Sequence, residues 1–280
     1  MKFAVFTVML PDLTPEQALP ALRNAGYDGV EWRVTNVDPS KAGETPSFWG
    51  NNLCSVDTAS SDEALDRLNA SVRQIGLETP NLACYLQCGD LAGVERGMQI
   101  AKRLGAPSIR VGVPGYNRSK TYQALYAEAR SYLEGVQELS RQYGIQGLIE
   151  IHMNNIATSA SLAHRLVDGF DPKHIGVIYD PGNMVYEGFE QYRMGLELLG
   201  PYLAHVHVKN AWWVKNEQPD QPVWRADSCP VHEGVANWKQ IIGDLKAVGY
   251  DGWLSFEDFS KSGTSEQLLE RNIAYIKSLL

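Results

Sequence analysis

Two histidines, His205 and His207, lie two residues apart in the apolar run Leu203-Ala204-His205-Val206-His207-Val208-Lys209-Asn210. Side chains on a strand alternate with a period of two, so both imidazoles face one way while Val206 and Val208 face the other. Other apolar runs end on the same kinds of residue: Glu150 with His152, then Asp180, then Glu257. Taken singly each has an ordinary reading, a helix cap for Glu150 or Asp180 and a rim charge for Glu257. Together, at matching strand ends, they would bury several carboxylates, which raises their pKa values or costs several kcal/mol each unless a cation is present. Glu150, Asp180, His207 and Glu257 form the most economical ligand set for one divalent ion. Three oxygen ligands and one imidazole suit Mn2+ first, with Mg2+, Zn2+, Co2+ and Fe2+ open.

Further polar groups stand around this set. His205, two residues deeper than His207, can orient a ligand, contact a substrate oxygen or satisfy a core hydrogen bond. His152 lies nearer the mouth and, with Asn154 and Asn155, forms a polar loop suited to sugar hydroxyls. Lys209 and Asn210 follow His207 and can reach the same pocket, Lys209 either assisting a developing oxyanion or standing as a rim lysine. Glu31 shares a strand face with Arg33, so that strand also carries charge inward. The stretch 211–237 is rich in Trp, Pro and charge, including Trp212, Trp213, Trp224, Arg225, Asp227 and His232. It reads as a carbohydrate wall, a cover over the mouth or a subunit contact. Arg225 is a substrate clamp or a solvated residue, and His164 and His174 read as structural.

The elements that must position these residues alternate along the chain. Strands are expected near Phe3–Thr7, Gly29–Arg33, Leu77–Leu82, Ser108–Val113, Gly147–Met153, Ile175–Asp180, Leu203–Lys209 and Trp253–Asp258. Helical patterns separate most of them, the first with Thr14 as cap, Pro15 at its first position and Gly26 just beyond its end. Gly97 interrupts the pattern over Gly93–Leu104. The polar stretch 35–52 reads as a long mouth loop with Phe48, Trp49 and Asn52 as its candidate pocket residues, and 211–237 as a second. Eight strands alternating with helices predict an α/β fold, a single (β/α)8 TIM barrel over residues 1–280, rather than an open doubly wound sheet. Thr7-Val8-Met9-Leu10-Pro11 stands where a dinucleotide-binding glycine loop would follow the first strand, which lowers the case for a nicotinamide enzyme.

With 280 residues the chain can bury one large core. A net charge of -8 and a pI near 5.3 argue against a nonspecific nucleic-acid surface. Cys54, Cys84, Cys88 and Cys229 lack the close pairing of a zinc knuckle or a small disulfide scaffold. No signal peptide or membrane-length apolar run is read, so the expectation is a cytoplasmic protein without membrane partners.

Across nearly its whole length the chain resembles the xylose isomerase-like barrel superfamily, in particular its sugar isomerase and epimerase branch. The resemblance is carried by Gly26-Tyr27-Asp28-Gly29-Val30-Glu31, Glu150, Asp180-Pro181-Gly182-Asn183, His205-Val206-His207-Val208-Lys209-Asn210, His232-Glu233-Gly234, Asn237-Trp238 and Gly249-Tyr250-Asp251-Gly252-Trp253-Leu254-Ser255-Phe256-Glu257. It implies metal ligation by Glu150, Asp180, His207 and Glu257, with the two glutamates moving protons on opposite substrate faces. Ketose epimerases of this group carry a histidine at the position of Asn183 and a substrate arginine at the position of Trp213. Those departures point away from a simple free ketose and make Asn183 and Trp213 candidate substrate contacts. Glu150-Ile151-His152-Met153 is similar to branches handling keto-inositols or oxidised glycosides, where such a histidine acts as base or acid. DNA-repair members carry further histidines that this chain lacks. The group often forms pairs, so a homo-oligomer is an expectation.

The chemistry implied is proton abstraction beside a carbonyl, through an enediolate stabilised by the metal. Two bases on opposite faces, Glu150 and Glu257, give an epimerase; return of the proton to the neighbouring carbon gives an isomerase. A leaving group beta to the carbonyl gives a lyase or dehydratase on a keto-inositol or 3-keto-glycoside, His152 protonating the departing oxygen. A noncatalytic sugar-binding protein is the remaining alternative.

Overall fold

Strand β1 (Lys2–Phe6) ends in a short 3-10 turn, and α1 (Pro15–Ala25) begins on Thr14, whose side chain and that of Gln17 cap one another's backbone in a capping box. Gly26, at φ 92°, closes that helix in the left-handed conformation glycine tolerates, and the chain turns into β2 (Gly29–Thr35). After the first mouth loop and a short β3 (Ser55–Asp57) come α2 (Asp62–Gln74), β4 (Leu82–Cys84), α3 (Leu91–Leu104), β5 (Ser108–Arg110), α4 (Tyr122–Tyr143) and β6 (Gln146–Glu150). The second half runs α5 (Ala160–Val167), β7 (Ile175–Tyr179), α6 (Pro181–Glu187), α7 (Tyr192–Leu199) and β8 (Leu203–Val208). It continues with β9 (Ala211–Lys215), β10 (Trp224–Ser228), α8 (Trp238–Ala247), β11 (Trp253–Phe256) and α9 (Ser265–Lys277). This computed structural model describes residues 1–218 and 220–280.

Parallel pairing runs β1-β2-β4-β5-β6-β7-β8-β11 and returns to β1, so eight strands close a (β/α)8 barrel, with β3 added outside β2. Outward-facing residues such as Val30, Trp32 and Val34 pack under the helices, while the alternate positions Glu31 and Arg33 point inward.

Several elements differ from the sequence expectation. The third barrel strand lies at Leu82–Cys84 rather than Leu77–Leu82, because Pro80 has no N–H for a ladder. Helix α3 passes through Gly97, whose missing side chain lets Ile109 and Cys84 approach; a Cβ there would lie 3.2 and 3.3 Å from them. Asp180 is followed at once by α6, for which it is the cap: its Oδ1 accepts from Asn183 N at 2.8 Å. The stretch expected as a second mouth loop contains an antiparallel hairpin, β9 with β10, pairing Trp213 with Ala226 and Lys215 with Trp224.

Candidate metal centre

Four neighbouring barrel strands carry the candidate ligands to one level. Glu150 ends β6, Asp180 follows β7, His207 is the penultimate residue of β8, and Glu257 follows β11. Ladder register keeps them level: Ser255 pairs with His207, Phe256 with Val208, and Glu257 N donates to Val208 O at 3.0 Å. One ligand atom from each of Glu150, Asp180, His207 and Glu257 lies within 4.8 Å of the others, and all four residues are buried. His207 Nδ1 is 3.0 Å from Glu150 Oε1 and 3.8 Å from Asp180 Oδ2, so this nitrogen faces the carboxylates.

Two fixed cations border the set. Arg110, at the end of β5, donates from Nη1 to Glu150 Oε2 at 2.6 Å, and Lys209 donates from Nζ to Glu257 Oε2 at 2.9 Å. Lys209 Nζ also lies 4.0 Å from Asp180 Oδ2. The Arg110 guanidinium stacks over Phe6 and Tyr85 at 5.6 and 4.8 Å, and the Phe6 ring stacks on His207 at 5.9 Å. Arg110 was not among the sequence candidates. The signal was present, since Ser108-Ile109-Arg110 is another apolar strand ending on a charge.

Electrostatics at the centre follow from burial. Burial pushes Asp180 up to about 7; Glu257 and Glu150 add to the rise and Lys209 opposes it. Burial also works against ionised Glu150, but Arg110 and His207 outweigh it and hold that carboxyl well below the usual range. His207 is raised well above an ordinary imidazole: burial opposes the charged form, but Glu31 and Glu150 prevail. Four buried carboxylates, Glu31, Glu150, Asp180 and Glu257, thus face two permanent cations, Arg110 and Lys209. In the form that can bind an ion, with His207 neutral and Asp180 ionised, the set is short of two positive charges, and with its oxygen-rich donors it fits a divalent ion.

A cavity of about 480 Å³ opens over the set and is lined on its polar side by Arg110, Glu150, His152, Asn155, Lys209 and Glu257. Trp49, Tyr85, Tyr186 and Phe259 supply aromatic wall, with Trp49 and Phe259 4.8 Å apart. His152 Nδ1 lies 2.7 Å from the Met153 carbonyl, which can only accept, so Nδ1 carries the proton. Asn155 reaches the cavity while its side-chain oxygen accepts from Ala157 N at 2.7 Å.

Other sequence candidates lie elsewhere. Glu31 and His205 sit below His207, buried and bonded to each other at 2.9 Å, so in this arrangement they support the ligand tier rather than face the cavity. Asn183 is also buried, its amide donating to Asp180 Oδ2 at 2.7 Å and Ile151 O at 3.1 Å. Trp213 and Arg225 stand on the hairpin outside the cavity lining, Trp213 49% exposed and Arg225 bonded to Asp227 at 2.6 Å. The β9–β10 pairing sets this placement, which a reading of the segment as loop could not supply. Asn210 turns from the pocket into the 231–236 loop, and Asn52 braces the first mouth loop by donating to Val8 O at 3.0 Å. Among the described residues, no helix is long and apolar enough to cross a membrane.

The profile of a family described as xylose isomerase-like TIM barrel matches residues 19–279. An inosose dehydratase from Geobacillus thermodenitrificans (strain NG80-2) is 27% identical over 135 residues, 45% of this chain and 44% of that protein. The chain thus aligns with less than half the length of this relative. A 3-keto-D-glucoside 4-epimerase from E. coli superposes with a TM-score of 0.71 at 16% identity, covering 99% of both chains. A D-psicose 3-epimerase structure gives 0.73 at 15% identity, covering 100% of this chain and 99% of the other. At such identities these two structures speak for the fold alone.

Proposed function

The chain belongs to the xylose isomerase-like TIM barrel family, and from that premise we propose that it is a divalent-metal-dependent epimerase or isomerase of a keto-sugar or sugar derivative. The observation that carries this reading is the convergence of Glu150, Asp180, His207 and Glu257 beneath a polar and aromatic cavity. These four residues would hold the ion, for which Mn2+ is the first candidate. When bound, it polarises a substrate carbonyl and the neighbouring hydroxyl, acidifying the C–H between them.

The protein's own groups divide the remaining work. Glu150 and Glu257 stand at the two ends of the ligand set, with β7 and β8 between their strands. On this reading a substrate lying across the set presents one face to each of them. Proton removal by one and delivery by the other inverts the carbon; return to the neighbouring carbon isomerises it. Arg110 and Lys209 each hold one oxygen of these carboxylates in place. Trp49 and Phe259 offer faces for sugar C–H groups, while His152 and Asn155 offer polar contacts. The cavity volume lies within the usual range for small-molecule sites, roughly 300–1,000 Å³.

Elimination is the second reading, favoured by His152. With Nδ1–H committed to the Met153 carbonyl, Nε2 is the free nitrogen, able to take up the proton removed beside the carbonyl and then pass it to an oxygen leaving beta to that carbonyl. The partial match to an inosose dehydratase supports the same reading. The test is incubation of Mn2+-loaded protein in D2O with panels of keto-sugars and keto-inositols. Uptake of a single deuterium at one carbon with no other change in composition supports the epimerase, and loss of water or an aglycone supports the lyase. Turnover that survives chelation and His207→Ala refutes both. Sugar binding that persists in Glu257→Gln, with no turnover in either protein, leaves a noncatalytic binder.

A further inference from the structure

His207 is bonded on both sides of its ring. Its Nδ1 faces the carboxylates of the candidate metal centre, while Nε2 lies 3.3 Å from Glu31 Oε1 on the opposite side. Glu31 is wholly buried at β2, and its remaining contacts are also donors: Asn81 Nδ2 reaches Oε1 at 2.7 Å and His205 Nε2 reaches Oε2 at 2.9 Å. Asn81 is held in turn by Ser108 Oγ, which donates to its Oδ1 at 2.8 Å. These groups form a buried tier directly below the ligand tier.

An ionised carboxylate has no hydrogen to give. The hydrogen between His207 and Glu31 therefore belongs to His207 Nε2; the same rule places a hydrogen on Nδ1 toward Glu150 Oε1 in the metal-free protein, and that is the hydrogen an ion among the carboxylates would replace, leaving the Nδ1 lone pair to the metal. An imidazole without such an anchor can exchange tautomers or rotate about its last side-chain bond, and either change misdirects the lone pair. The Phe6 ring, stacked on His207 with 27° between planes, fixes the plane of the imidazole but not which edge carries hydrogen. Glu31 supplies that second constraint.

We propose that Glu31 is a positioning residue that holds His207 in its Nε2–H tautomer, making Nδ1 the metal-binding atom, with His205 and Asn81 fixing Glu31. The inference rests on the metal reading given above and adds the residue that aims its only imidazole. Glu31→Gln keeps the shape and removes the charge. Competition between protein and a chromogenic chelator for Zn2+ should show the dissociation constant rising about 10–100-fold, the usual effect of losing such an outer partner. Long-range 1H–15N spectra of Zn2+-loaded wild type should place the His207 proton on Nε2.

Zn2+ binding by Glu31→Gln within twofold of wild type would overturn the inference while leaving the metal reading intact. A lowered melting temperature of metal-free Glu31→Gln with unchanged Zn2+ affinity would mean a structural role only and would overturn it equally. Should Glu31→Gln fail to fold, the wild-type spectrum decides, since a proton on Nδ1 with metal on Nε2 contradicts the proposal directly. Wild type that takes up neither Zn2+ nor Mn2+ would refute the metal reading itself, and the inference with it.

Discussion

Asn210 allows a calculation that separates a pocket residue from a structural one. Its amide donates to Val231 O at 2.8 Å and Ala236 O at 3.0 Å, and its oxygen accepts from Ala211 N and Ala236 N, both at 2.9 Å. Gly234 permits this approach, because a Cβ there would lie 2.1 Å from Asn210 Oδ1. Asn210→Ala removes four buried hydrogen bonds worth about 1 kcal/mol each net, and relaxation or water entry recovers a fraction, so a loss of about 3 kcal/mol is expected. At about 2 °C per kcal/mol for a chain of this size, the melting temperature should fall by about 6 °C. The loop starts α8, and Trp238 Nε1 donates to Lys209 O at 3.1 Å, so the damage stays on the backbone side of Lys209. Calorimetry should show that drop with Zn2+ affinity within a few-fold of wild type. A variant that melts within 1 °C of wild type, or one that keeps its stability and loses substrate binding, would refute the reasoning.

Arg110→Met strands Glu150 without its buried partner, and breaking such a pair by removing one side costs about 3–5 kcal/mol; denaturant unfolding of metal-free protein should show a loss of that order, smaller once Zn2+ is bound. Metal affinity should weaken as pH falls below about 7, because Asp180 then holds a proton that the ion must displace; titrations at pH 5.5 and 8 with equal affinity would contradict this. Cys54, Cys84 and Cys229 are buried, and burial raises all four thiols, Cys84 and Cys229 to about 12 and Cys88 to about 11. At pH 8 a thiol reagent should therefore label at most Cys88 in native protein and all four after unfolding, as a spectrophotometric count will show.

The barrel was legible because its strands are apolar runs punctuated by strong helix signals, such as Thr14-Pro15 at one end of α1 and Gly26 at the other. Residue type at strand ends was enough to group Glu150, Asp180, His207 and Glu257, since parallel strands of a closed barrel deliver their ends to one mouth. Depth was less legible. Neighbouring strands are staggered around a barrel, so Glu31 and His207 share an inward face while Glu31 sits a tier lower. Antiparallel partners were less legible still: the alternation in Ala211–Lys215 acquires meaning only against Trp224–Ser228, across a connection that reads as loop. Helix α6 was within reach, because Asp180-Pro181 is a capping residue followed by proline at the first helical position.

The period of two along β8 explains why the charged groups are stacked rather than scattered. His205, His207 and Lys209 occupy alternate positions, so each presents a nitrogen to the barrel interior at a different height. Each meets carboxylate from another strand at its own level: His205 meets Glu31, His207 meets Glu150 and Glu31, and Lys209 meets Glu257. The intervening Val206 and Val208 are wholly buried on the other face. A slip of one residue in β8 would turn all three nitrogens outward, leave the carboxylates unpaired and point two valines into the charged column. The ion pairs that build the site therefore also select the register of the strand that carries it, so the arrangement that could bind a metal is the one in which this barrel closes.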